Sequence, residues 1–351
     1  MKLLIVTDAW LPQVNGVVKT LTQMQTALTQ RGWDVKVLGP SGATLSCPTY
    51  PEIRLTLQPK QVIKKAIAAS RPDFVHIATE GPLGLAMRAH CLRKKWNFTT
   101  SFHTRFPEYL KARFGVPRRL TYAYLRRFHN HATRVLVPSP SIQRELTARG
   151  IERVKVWGRG VDCDLFHPSK REKLPFKGPI FLHVGRLAVE KNIGAFLSAS
   201  LPGTKLVVGD GPARQSLQAA HPDAVFVGPK FGADLARIYA SSDVFVFPSL
   251  TDTFGLVNLE ALASGLPVAA FPAPGPVDIL SESNAGCMHQ SLAIAALEAL
   301  KLNREDCRAH ALKYSWSRSA ELFESTLVPR IKRRHEESLD GSLVASLPAF
   351  N

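Results

Sequence analysis

The segment Asp243–Phe271, DVFVFPSLTDTFGLVNLEALASGLPVAAF, constrains this chain more than any other. It opens on an apolar, β-branched and aromatic run ending at Phe247, as expected of a strand buried on both faces of a sheet. A polar turn follows, then a helical stretch made almost wholly of Leu, Val and Ala. Gly265 can take the left-handed closing position, Pro267 forbids continuation, and Pro267–Phe271 resumes as another buried strand. Strand, helix, strand in that order predicts a parallel βαβ unit, and with it an α/β fold.

Two acids in the unit do not fit a purely structural role. Glu260 sits on the helix among Leu259, Ala261, Leu262 and Ala263, with no Lys or Arg three or four positions away. A carboxylate buried there needs partners. Asp252 lies eight residues earlier, in the loop before the helix, where the amides of Thr253, Phe254, Gly255, Leu256 and Val257 form a positively polarised start able to hold an anion. The plainer alternative is an acidic first turn that complements the helix dipole, with a Glu that reaches the surface.

At 351 residues the chain can form two domains, each with its own core. It has no run of eighteen apolar residues, and the opening MKLLIVTDAW combines too short an apolar stretch with too early an acid for a secretory signal, so a cytosolic protein that does not span a membrane is expected. Five scattered cysteines without paired spacing argue against a disulfide framework or a zinc site. The net charge of +17 is unevenly placed: residues 1–170 hold 27 Lys and Arg against 10 acids, whereas residues 171–351 hold 18 against 18. That split suggests one domain facing a polyanionic surface, membrane or nucleic acid, and another facing a small ligand.

Further strand ends carry candidate ligand loops. Asn15-Gly16-Val17 follows the strand Leu3–Val6, at the position where loops leave the carboxyl ends of an open sheet, and the G-x-G-x-x-G dinucleotide pattern is absent. Glu80 precedes a helix after the strand Phe74–Ile77 and is a candidate acceptor-site residue. His103 ends the strand-like Thr99–Phe102, and a lone His of this kind is either a structural hydrogen-bonding residue or a functional one. Arg105–Arg134 mixes eight Lys and Arg with aromatic and aliphatic residues against a single acid. It reads as an interfacial segment, with Arg105, Arg118, Arg119, Arg126 and Arg127 as membrane-facing cations, against the alternative of a solvated helix face. Asp162 and Asp164 form a literal Asp-x-Asp, and Arg186 and Lys191 follow the strand Ile180–Val184.

Taken together these stretches resemble the retaining family 4 glycosyltransferases of GT-B fold. The resemblance is carried by Gly16, by His103 in a T-x-H-T-like element, by Gly160-Val161-Asp162 with Phe166 and Pro168, by Gly185-Arg186-Leu187 with Glu190-Lys191-Asn192, and by Asp252 with Glu260 at the acidic-x7-Glu spacing. It covers about residues 1–330 and implies two Rossmann-like parallel-sheet domains facing across a cleft: residues 1–169 for the acceptor, 170–330 for the nucleotide sugar, and 331–351 as a tail. It further implies that Gly16, Arg186, Lys191 and the amides of residues 253–257 meet the donor diphosphate and that Glu260 binds ribose. Asp252, in a slot that more often holds Glu, and His103 would contact the donor sugar. The loop with Lys230 would meet the base. Asp162 and Asp164 then mark a domain boundary, so no metal site and no cofactor is expected.

The wording of several stretches, among them DAWLPQVNGVVKT and TDTFGLVNLEALASG, is most similar to bacterial transferases that build glycosyl diacylglycerols and to sulfoquinovosyl diacylglycerol synthases. What the resemblance implies is α-retaining transfer of a hexose or uronosyl unit, from UDP-glucose or UDP-glucuronate, to diacylglycerol. The enzyme would be peripheral on the inner face of the cell membrane and bind no specific nucleic acid. The alternatives are a mannosyl- or glucosyltransferase using GDP-mannose or another donor, acting on a soluble or inositol-lipid acceptor, and a non-catalytic basic binding module.

Overall fold

The computed structural model describes residues 1–13, 15–47 and 50–331, so the expected tail lies, but for Ile331, outside the described residues. The first half runs β1 (Lys2–Val6), α1 (Gly16–Gln30), β2 (Asp34–Leu38), β3 (Thr44–Cys47), β4 (Tyr50–Thr56), α2 (Pro59–Ser70), β5 (Phe74–Ile77), α3 (Pro82–Lys94), β6 (Thr99–Ser101), α4 (Phe106–Phe114), α5 (Arg118–His129), β7 (Arg134–Val137), α6 (Pro140–Ala148) and β8 (Val154–Val156). The second runs β9 (Ile180–Val184), α7 (Ile193–Leu197), β10 (Thr204–Val208), α8 (Arg214–Ala220), β11 (Val225–Phe226), α9 (Gly232–Ser241), β12 (Val244–Phe247), α10 (Leu256–Ala263), β13 (Val268–Ala270), α11 (Pro276–Leu280), β14 (Gly286–Met288), α12 (Leu292–Ala299), α13 (Arg304–Ala311) and α14 (Trp316–Thr326).

Each half builds a six-stranded parallel sheet, in the orders β2-β1-β5-β6-β7-β8 and β11-β10-β9-β12-β13-β14. The β3–β4 hairpin is antiparallel and stands apart. The central strands are buried at every position because helices cover both faces: Val244–Phe247 is wholly apolar, and Ile180–Val184 is apolar but for His183. The strand order reverses between β1 and β5 in the first lobe and between β9 and β12 in the second. Crevices open at such reversals, outside the carboxyl ends of the strands.

The chain does not stay in the second lobe to residue 330. Helix α14 packs on α1, placing Ala320 and Phe323 in one apolar cluster with Leu21, Met24 and Trp157. Arg31 pairs with Glu324 at 2.8 Å, and Phe74 bridges to Pro329. The first lobe's outer layer is therefore completed by the C-terminal helix. The boundary expected at residue 330 moves back, to before α14.

Candidate functional site

The reversal in the second lobe brings two loops together. The loop after β9 carries Arg186, half-buried, and ends in a 3₁₀ turn, Val189–Lys191. The loop after β12 carries Asp252 and leads into α10. Asn192 Nδ2 donates to Pro248 O at 3.1 Å and Thr251 Oγ1 to Glu190 O at 2.9 Å, tying the loops together. Lys191 Nζ then lies 2.5 Å from Asp252 Oδ1. Burial opposes both charges. Asp252 and Tyr109 nevertheless outweigh it at Lys191, which is raised above the usual lysine range, and Lys191 outweighs it at Asp252, held below the usual carboxylate range. The two stay an ion pair at neutral pH.

Helix α10 starts at this pair. Gly255 takes φ +81°, and a Cβ there would come within 2.7 Å of Asn258 Nδ2 and 2.9 Å of Phe247, so glycine is required by conformation and by space. Glu260, 4% exposed, takes a hydrogen bond from Tyr239 Oη at 3.2 Å and an ion pair from Lys19. The partner that the helix itself could not supply comes from α1 of the other lobe. A small cavity of about 40 Å³ lies beside this pair, lined by Lys19, Gln23, Asp162, Phe166, Leu256 and Trp316 among others.

From the first lobe, α1 begins at Gly16, where an added Cβ would meet nothing within 4 Å. The fold itself places no demand for glycine there. His103 follows β6, and its backbone oxygen accepts Thr253 Oγ1 at 2.8 Å, so it sits at the start of α10 across the cleft. Burial, and secondarily Arg159 and His76, hold its imidazole well below the ordinary histidine range. Other bonds join the lobes. Arg113 on α4 grips the buried Glu190 through contacts of 2.8–3.2 Å, and the carboxylate of Asp278 receives both the amide and the hydroxyl of Ser141 at the start of α6. Ser139, at the capping position of α6, does not cap it. Its hydroxyl reaches Thr253 O at 3.4 Å instead.

His103, Lys191, Asp252 and Glu260 are thus tied in by contacts at or beside the interlobe cleft, with Gly16 one turn before Lys19 on α1 and Arg186 on the loop that carries Lys191. Lys230 sits half-buried beyond β11, at the sheet edge. Glu80 is 8% exposed and its carboxylate faces His129 Nε2 at 3.2 Å, a core contact rather than an acceptor contact. The anion position at the start of α3 is filled by Asp8, whose carboxylate accepts the amides of Leu83 at 2.9 Å and Gly84 at 3.3 Å. Arg105 leaves the expected membrane group. The part-buried acid Glu145 captures it at 3.0 Å, and its Nη1 donates to Leu250 O of the other lobe at 3.1 Å. Arg118, Arg119, Arg126 and Arg127 are exposed on α5. The Asp162 carboxylate caps its own turn, accepting the amides of Asp164 and Leu165 at 3.1 and 2.8 Å. Asp8, Lys19, Arg113 and Arg159 escape a reading of the sequence, since each is a single polar residue whose partner lies far away in the chain.

Residues 14–165 match the family described as Glycosyltransferase Family 4, and residues 178–301 match Glycosyl transferases group 1. A GDP-mannose-dependent alpha-mannosyltransferase of Mycobacterium tuberculosis is 35% identical over 82% of this chain and 83% of its own length. An alpha-monoglucosyldiacylglycerol synthase of Streptococcus pneumoniae is 26% identical over 97% of this chain and 86% of its own. Among solved structures, a sucrose-phosphate synthase from Thermosynechococcus elongatus superposes with a TM-score of 0.77 at 19% identity, covering 92% of this chain and 97% of that one. The fold is GT-B, two Rossmann-like lobes across a cleft. The chain belongs to glycosyltransferase family 4, and it is a retaining glycosyltransferase similar to the diacylglycerol-glycosylating members.

Proposed function

We propose that this family 4 glycosyltransferase moves a hexose or uronosyl unit from a nucleoside diphosphate sugar to a diacylglycerol-based lipid at an anionic membrane face. The observation that carries the donor half is the joining of Arg186, Lys191 and the start of α10 at one strand-order reversal. A leaving nucleoside diphosphate gains negative charge as the glycosyl bond breaks. Fixed cations and aligned amides already in place stabilise that charge without reorganising. In this reading no metal is required. Glu260 binds ribose hydroxyls once Lys19 has moved aside, and Asp252 and His103 orient the sugar. Retention follows by same-face transfer, with the leaving diphosphate helping to take the acceptor proton.

The lipid half is supported by α5. Its inner face buries Thr121, Tyr122, Leu125 and Phe128, and its outer arc carries Arg119, Arg126 and Arg127 together with Leu120, 59% exposed, and Tyr124, 41% exposed. Cations beside exposed apolar side chains suit the interface of an anionic bilayer. Among the described residues no helix is long and apolar enough to cross a membrane. UDP-glucose or UDP-glucuronate is the donor favoured by the likeness to diacylglycerol glycosyltransferases. GDP-mannose is the second reading, favoured by the identity to the mycobacterial mannosyltransferase.

The test is to incubate the enzyme with UDP-glucose, UDP-glucuronate or GDP-mannose and diacylglycerol in phosphatidylglycerol vesicles, with and without EDTA, and to read products by mass spectrometry. The expected result is one EDTA-insensitive glycolipid, with vesicle binding that Arg126→Glu/Arg127→Glu weakens about tenfold or more, at about 1 kcal/mol per charge. Transfer to a soluble saccharide at full rate without lipid, or equal binding to neutral and anionic vesicles, would remove the lipid assignment.

A further inference from the structure

The first lobe buries one cation that no carboxylate among the described residues answers. Arg159 lies three residues past β8 and is 5% exposed. Its Nη1 donates to Gly158 O at 2.6 Å, and its guanidinium lies 4.3 Å from the Trp157 ring centre. Its Nη2 lies 3.2 Å from His103 Nδ1. Burying a guanidinium without a counter-charge costs several kcal/mol, so a purely structural use is an expensive one. The position is the carboxyl end of a strand in an open sheet, and beside Gly158 an added Cβ would meet nothing within 4 Å.

The Arg159–His103 contact has one chemical solution. A guanidinium offers only donors, so His103 Nδ1 must accept and carries no proton. The single proton of the neutral ring is then on Nε2, which is buried and has no hydrogen-bond partner. The charged and titratable groups that bear on the ring are Arg159, from the loop after β8, and His76 on β5, and both disfavour a second proton. Thr253, from the other lobe, takes only the backbone oxygen.

We infer that Arg159 is a positioning residue for glycosyl transfer: it commits His103 to the neutral Nε2–H tautomer, so that His103 meets the substrate as a hydrogen-bond donor and not as a general base. This rests on the reading above that His103 faces the sugar. The substrate atom opposite Nε2 is then an oxygen acceptor, a hydroxyl or carboxylate oxygen of the transferred unit. A group there that can only donate, such as an ammonium, is refused.

The tautomer is read directly by ¹⁵N–¹H correlation spectra of the full chain labelled at histidine, with His103 assigned by substitution. The expected pattern is an unprotonated Nδ1 and a protonated Nε2, unchanged from pH 5.5 to 8. In Arg159→Met, where nothing obliges Nδ1 to accept, the Nδ1–H tautomer becomes populated and kcat/KM falls about tenfold to a hundredfold. Arg159→Lys, which keeps a donor, recovers most of the loss. His103→Gln, which can still donate, retains at least about tenfold more activity than His103→Glu, which only accepts when ionised. If Arg159→Met fails to fold, the wild-type tautomer and the Gln–Glu comparison decide. A proton on Nδ1 of the wild type at pH 7, or the same single tautomer in wild type and Arg159→Met, overturns the inference. The spectra need no substrate, so a wrong tautomer leaves glycosyl transfer standing, whereas no transfer from any donor overturns the functional reading instead.

Discussion

The two lobes share an architecture but equip the cleft differently. The second lobe closes one ion pair within itself: Lys191 meets Asp252 across two loops of one sheet. The first lobe's contributions are isolated side chains that find partners across the cleft, as Lys19 does with Glu260 and Arg113 with Glu190, or, like Arg159, find no acid among the described residues. A pair inside one lobe survives any opening of the cleft, whereas a pair between lobes exists only when they are together. On the reading proposed above, the donor half of the site is therefore preformed, and the rest is made only when the lobes are together.

The largest effect that tests this contrast is at the preformed pair. Lys191→Ala should lower kcat by about a hundredfold or more, since it removes a fixed cation from the leaving group. It also strands Asp252, at a cost of about 3 kcal/mol in stability. Adding Asp252→Asn should restore the melting temperature but not turnover, while Asp252→Glu alone should keep measurable activity. A double variant that melts with the single one, or turns over near the normal rate, would show that the pair is not the donor site's charge centre.

A smaller effect is expected at the interlobe pair. Lys19 occupies the carboxylate assigned to ribose, so donor binding must displace it. Lys19→Ala should tighten binding of the nucleotide sugar about fivefold, or about 1 kcal/mol, the size of a part-exposed ion pair, measured by calorimetric titration. Weaker binding would sharpen the comparison in another direction: Lys19 would be a ligand to the phosphates, and the first lobe would hold part of the donor itself.

What could be read from the sequence follows the same division. Strands such as Val244–Phe247 and, but for His76, Phe74–Ile77 were readable because a sheet covered on both faces demands nearly unbroken apolar runs. The two loops that meet at the Lys191–Asp252 pair were readable because each is a short contiguous segment at the end of a buried strand. The pairing of Glu260 with Lys19 spans 241 residues and leaves no local pattern. Helix α14, with Ala320 and Phe323 on its buried face, carries nothing nearby in sequence to show that it returns to the first lobe. The basic stretch from Arg105 to Arg134 was half legible. Composition finds the outward arginines of α5 but cannot tell them from Arg105 and Arg113, which part-buried or buried acids draw inward.

The smallest expected effect concerns one buried imidazole in each lobe. His76 is enclosed between Thr99 Oγ1 at 2.8 Å and Ser101 Oγ at 2.9 Å, and burial pushes it down to about 3. His183, beneath the donor loops, donates from Nδ1 to Val246 O at 3.2 Å, and burial lowers it to about 4. In the unfolded chain both rings take up a proton near pH 6.5, whereas folded they refuse it until pH 3–4. Their stabilisation is therefore complete above about pH 6.5 and is lost as pH falls toward 4 for His183 and toward 3 for His76. Between pH 7 and 6 each ring accounts for about 0.7 kcal/mol. Scanning calorimetry should show this as a shallow fall in melting temperature. His183→Gln should flatten the fall in the second lobe's transition only, if the lobes melt separately. An unchanged slope would mean that His183 is already protonated or solvated in the native state, and that the ground beneath the preformed site is wetter than the ring's burial indicates.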